Sequence, residues 1–130
     1  MASDLRVVLP NRPGALLEAC DILARAGIPL LGFAGDLRPG ERWGYLHVLV
    51  DDGATAQDEL EANGFEVTST HEVNVLSVDK HPGALAEEIK RYSDAGKNIE
   101  VVYMSSAGEI VVATDDMQHQ RRGVRMDDAG

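Results

Sequence analysis

One cysteine, one tryptophan and two phenylalanines are all that this 130-residue chain carries of those residue types. A lone Cys20 excludes an internal disulfide and any metal site built on paired cysteines. It reads as a small apolar residue inside a helix, which suits a reducing compartment. Basic charge is scarce as well: 12 Lys and Arg stand against 22 Asp and Glu, a formal net charge of −10. Nucleic acid requires a basic face and an anionic membrane attracts one, so neither is expected as a partner. No apolar run approaches transmembrane length, and the opening stretch MASDLRVVLP has no apolar signal core. The expected location is the cytoplasm.

Motifs that carry chemistry are missing too. The chain has no P-loop, no G-x-G-x-x-G and no G-x-S-x-G elbow, and the SSAG stretch at Ser105–Gly108 has no catalytic partner in sequence. His47, His71, His81 and His119 lie far apart without ligand spacing, and the paired acids at 51–52, 115–116 and 127–128 read as solvated turn residues. Neither a metal nor a cofactor is expected. An enzyme would need an activated titrating group in a water-excluding pocket, and no constellation in the sequence points to one.

What is present is a repeat. NRPGALLEACDILARAGIPL (Asn11 to Leu30) returns 69 positions later as KHPGALAEEIKRYSDAGKNI (Lys80 to Ile99), without a gap. Pro13/Pro82, Gly14/Gly83, Ala15/Ala84, Leu16/Leu85, Glu18/Glu87, Ala26/Ala95 and Gly27/Gly96 coincide. Such a period favours two similar units that fold against each other, each with a marginal core on its own.

Around the first copy, Leu5 to Leu9 reads as a strand. Pro13 takes a first helical position, and Leu16, Ala19, Cys20, Leu23 and Ala26 fall at helical spacing up to Gly27. Leu30 to Ala34 and Trp43 to Val50 read as strands joined across the Pro39-Gly40 turn, Thr55 to Ala62 as a helix, and Phe65 onward as a strand. This is the split βαβ order of a ferredoxin-like unit, α+β with antiparallel strands and helices on one face. Unit 1 covers residues 1–70 and unit 2 residues 71–130, with Phe65 to Val78 running as one extended stretch from the first into the second. In unit 2 the helix carries Leu85, Ile89 and Tyr92 on one face, and Ile99 to Met104 and Ile110 to Thr114 are strands. Residues 115–130 contain no β-branched run. The second sheet therefore lacks its last strand or borrows one, and 117–130 reads as a tail; the bare edge favours a homodimer.

The stretch NRPGAL, matching N/D-R-P-G-x-L with a glycine thirteen residues after the first, and its partial copy KHPGAL inside this frame resemble the motif of ACT domains. NRPG together with GKNI (Gly96 to Ile99) is similar to the amino-acid-sensing domain of phosphoglycerate dehydrogenase. The resemblance implies a regulatory module that binds an amino acid between paired domains, acting with a partner enzyme. It places the ligand on the loop Asn11, Arg12, Pro13, Gly14, Ala15 and Leu16, with Asn98 reaching over from the other domain. In the second copy Lys80 replaces the polar motif residue, beside His81 and Gly83, and Pro29 stands where an asparagine is expected. One competent and one decayed site per chain is the implied arrangement.

The residues support the location on their own account. A helix start offers free N–H groups and the positive end of a dipole, and a glycine there lets a carboxylate approach the backbone. Each residue also has a plainer reading: Asn11 as a cap or turn residue, Asn98 as a turn residue and Lys80 as a solvated side chain. The alternative to a sensor is a ligand-free interaction module or regulatory subunit. Pocket walls are expected from Leu31, Gly32, Phe33, Val101, Val102 and Tyr103, subject to strand register.

Overall fold

The computed structural model describes residues 2–117 and the backbone of 119–121. The first unit comprises β1 (Ser3–Pro10), α1 (Ala15–Arg25), β2 (Gly32–Asp36), β3 (Trp43–Val50), α2 (Gly53–Ala62) and β4 (Glu66–Glu72). The second comprises β5 (Asn74–Leu76), α3 (Ala84–Asp94), β6 (Ile99–Met104) and β7 (Ile110–Thr114), and β8 (His119–Arg121) ends the described chain. No helix among the described residues is long and apolar enough to cross a membrane.

The repeat is visible in backbone geometry before it is visible in packing. Arg12–Ala15 closes a turn through Ala15 N–H to the Arg12 carbonyl (3.3 Å), with Gly14 at φ 91°, ψ −16°. His81–Ala84 does the same (3.2 Å), with Gly83 at φ 88°, ψ −14°. Pro then Gly at the two central positions, the second with positive φ, is the chemistry of a type II turn. Pro13 is thus the corner of a turn, not the first helical residue that the sequence suggests; the helix opens at Ala15, after Gly14. Both helices also end alike: Ile28 N–H reaches Leu23 O and Lys97 N–H reaches Tyr92 O, each at 2.9 Å, across Gly27 and Gly96 in the left-handed region. These are Schellman closures, and they account for the recurrence of those glycines.

The first sheet has the order β2-β3-β1-β4-β8 and the second β5-β7-β6, all pairs antiparallel. Among the described residues the second sheet therefore has three strands and no fourth. Within the stretch read from sequence as a tail, His119–Arg121 instead forms a strand, pairing with Ser69–His71 of the first sheet. Ladder hydrogen bonds come from the backbone, so an open edge on β4 can take a short polar segment without β-branched residues. As a tail, residues 118 and 122–130 lie outside the described residues.

The main core lies between the first sheet and α1 and α2, where Leu5, Val7, Leu9, Leu23, Leu46, Val48 and Leu60 are buried. On the other face of that sheet sits the second sheet, through Leu49, Val73, Val111 and Ala113. Val101 and Tyr103 pack into this layer, whereas Val102 (55% exposed) points away, so alternation along β6 divides the expected pocket walls. Phe33 (56% exposed) is likewise outside. The sheets join at two corners: Val73 alone separates β4 from β5, and an isolated bridge links Gly32 to Ser105.

Candidate functional site

The end of β1 delivers the first motif loop. Asn11 holds the neighbouring hairpin by three bonds: its backbone N–H donates to Arg42 O (2.8 Å), and its side-chain amide donates to Arg38 O (2.9 Å) and Glu41 O (2.7 Å). Both amide hydrogens are therefore committed, and the amide oxygen is what Asn11 has left to offer. The plain turn-residue reading of Asn11 holds for its donors.

Next to it, Arg12 and Glu18 form a two-toothed ion pair, Nη1 to Oε1 at 3.2 Å and Nη2 to Oε2 at 3.0 Å. The hydrogen bond from Arg12 holds the Glu18 carboxyl below its usual range, and Glu18 raises the guanidinium in turn. This fork lies across the first turn of α1. Ala15 is buried (1% exposed) with its N–H spent on the turn, so of the expected ligand loop it faces the core. The N–H groups of Leu16 and Leu17 have no acceptor among the described residues, and Glu18 N–H opens the helical ladder on Gly14 O. A Cβ on Gly14 would meet only Arg12, at 3.9 Å, so space beside the turn is open. The cost of Gly14→Ala is therefore backbone strain alone, about 1–2 kcal/mol, to be read as a lower midpoint in urea. A groove of about 230 Å³ adjoins the loop, lined by Pro10, Arg12, Glu18, Trp43 and Phe65 among others.

The second loop keeps the turn and loses the fork. His81 stands where Arg12 stands in the first copy, and its Nδ1 lies 3.1 Å from Pro82 O, with Nε2 4.0 Å from Asp79. Lys80, His81 and Gly83 are all exposed, as is Pro29 after α1. Asn98 is held by its backbone, donating N–H to Asp115 Oδ1 (3.2 Å) and accepting from Asp115 N–H (3.0 Å). Its side chain makes no hydrogen bond among the described residues, and it does not line the groove beside Asn11. Within one chain, then, the Asn11 loop and Asn98 are not joined into one site.

The sequence profile of the ACT domain pair matches residues 1–128. This chain belongs to that family. A crystal structure of a Bacteroides thetaiotaomicron protein is similar to this ACT pair, with 27% identity, a TM-score of 0.74, and 88% of this chain and 79% of the other covered. The ligand-free regulatory subunit of aspartate kinase from Thermus thermophilus shares the fold at 20% identity and a TM-score of 0.63, covering 87% of this chain and 82% of the other. Its Thermus flavus counterpart gives 20%, 0.62, 87% and 82%. No functionally curated sequence matches the chain significantly.

One polar cluster in the ACT pair escapes sequence reasoning. Asp4, wholly buried, accepts a hydrogen bond from Tyr103 Oη (2.7 Å) and lies 2.9 Å from His47 Nδ1. Burial and then the Asp4 charge push the Tyr103 phenol well above its usual range. An Asp–His pair invites comparison with a catalytic relay, but Asp4, His47 and Tyr103 line neither the groove at Asn11 nor the larger cavity between the sheets. The cluster ties β1 and β3 to β6. Alternation along β1 places Asp4 on the face opposite Leu5, and only the stacking of the second sheet turns that position from surface to interior.

Proposed function

We propose that this ACT pair is a non-catalytic regulatory sensor, binding an amino acid or related carboxylate at the loop from Asn11 to Leu16. The observation that carries the reading is the pair of open N–H groups at Leu16 and Leu17, beside a glycine turn with free space and a guanidinium. In a protein of charge −10, fixed backbone donors at a helix start are the natural anchor for a carboxylate. The unused oxygen of Asn11 suits the ammonium of the same ligand. Asn98, with its side chain uncommitted, comes from a second copy in a homodimer. Leu16 (41%) and Leu17 (71%) expose apolar surface at the loop, as Leu85, Val102 and Met104 do on the second unit, which supports such a dimer. Fold likeness to aspartate kinase regulatory subunits supports output through a partner enzyme.

A second reading, a ligand-free regulatory subunit in the cytoplasm, draws on Asn11's commitment to the hairpin and on the loss of the fork at His81. The two separate by thermal unfolding against the twenty amino acids at millimolar concentration. A ligand at a hundred times its Kd adds about 2.7 kcal/mol, which for a chain of this size is roughly 10 °C in Tm. Asn98→Ala should abolish that gain while leaving the unliganded Tm in place. Asn11→Ala is the poorer probe, because it also releases the hairpin. Silence across the panel, with an enzyme co-purifying, would establish the second reading instead.

A further inference from the structure

At the end of β1 opposite the motif loop, the two sheets part between their corners and leave a cavity of about 460 Å³. That volume lies within the range of small-molecule sites. Leu31, Leu49 and Val73 give it apolar walls, and Asp51 and Glu109 stand among its lining residues. Neither carboxylate has a hydrogen bond or ion pair among the described residues. Ser105, also lining it, is 8% exposed. Its Oγ accepts N–H from Ala107 (3.3 Å) and Glu109 (3.1 Å), and its own proton has no acceptor among the described residues. A buried hydroxyl with an unused donor is a cost that a bound oxygen acceptor removes.

We infer that this cavity is a second binding site, for a small aliphatic ammonium compound that also carries an oxygen acceptor. Charge selects the occupant. Two carboxylates without a partner among the described residues, set at an apolar cavity, repel free anions and attract a cation, and the apolar walls require a hydrocarbon body beside the charge. The Ser105 proton selects the oxygen. This site shares no residue with the Asn11 loop, and its chemistry is complementary in sign: backbone donors at one end of β1, carboxylates at the other. The SSAG stretch, without a role in sequence, acquires one as the wall that presents Ser105.

The test is titration of the full chain with 5-amino-1-pentanol, followed by backbone amide chemical shifts. Saturable shifts at Asp51 and Ser105–Glu109 are expected. Affinity should fall about tenfold in the double variant Asp51→Asn/Glu109→Gln and stay unchanged in Asp58→Asn/Glu59→Gln, which removes equal charge from α2. n-Pentylamine should bind about fivefold more weakly for want of the oxygen, and 1,5-pentanediol should not saturate the site. Shifts that never saturate, or that survive Asp51→Asn/Glu109→Gln, overturn the proposal, as does equal binding of the diol. Equal binding of pentylamine overturns the role given to Ser105. Perturbation confined to residues 11–17 would place the compound on the other loop and also refute the assignment.

Discussion

Leu23→Ala should cost about 2–5 kcal/mol, seen as a clear loss of urea midpoint, whereas Ile89→Ala on the corresponding helix of unit 2 should cost less than about 1.5 kcal/mol. The two helices begin and end by the same turns, so propensity does not separate them. Burial does. Helix α1 buries Ala15, Ala19, Ile22 and Leu23, while α3 buries Ala84 alone. At the positions of Ala19, Ile22 and Leu23, α3 carries Glu88, Arg91 and Tyr92. Truncating a side chain with neighbours on every side leaves a cavity, and truncating one that water already reaches does not. Equal losses at Leu23 and Ile89 would mean that α3 is covered in solution, which a dimer through unit 2 would do.

Tyr103→Phe should lower stability by about 1.5–3 kcal/mol at neutral pH, because wholly buried Asp4 loses a charge-assisted donor. The same variant should change the alkaline limb. The folded protein holds the Tyr103 phenol above its unfolded value, so the stability it contributes is complete below about pH 10, the unfolded tyrosine value. Above that pH the unfolded chain releases a proton that the folded chain keeps. Wild-type stability then falls by up to about 1.4 kcal/mol per pH unit more steeply than that of Tyr103→Phe, and the two curves converge. Parallel curves from pH 9 to 11 would show that the phenol is not sequestered as described.

The repeat made most of the fold legible. Paired glycines 69 positions apart mark where both helices start and stop, because positive φ is a local demand that shows in sequence. Strand β3 and both β6 and β7 fall where apolar, β-branched runs place them. What stayed hidden depends on contacts between distant faces. Asp4 meets His47 43 positions away and Tyr103 99 positions away, and no spacing rule connects them. Strand β8 was missed because an edge can recruit a segment through its backbone alone. The site divides the same way. The Asn11 loop and its glycine turn are readable from the motif, but the use of Asn11's amide on Arg38 and Glu41 depends on how the β2–β3 hairpin curls back. Asp51, Ser105 and Glu109 carry no motif and come together only where the sheets diverge.

The junction at Val73 has a mechanical meaning. One continuous run of chain serves as a strand in both sheets, and its single intervening residue is 2% exposed and bonded through its N–H to Ala2 O (3.2 Å). There is no slack at such a joint. A displacement of β5 pulls directly on β4, which lies against β1, the strand that ends in the Asn11 loop. The two sheets thus share one continuous backbone at this joint, and β1 beside it carries the Asn11 loop at one end and borders the cavity at the other.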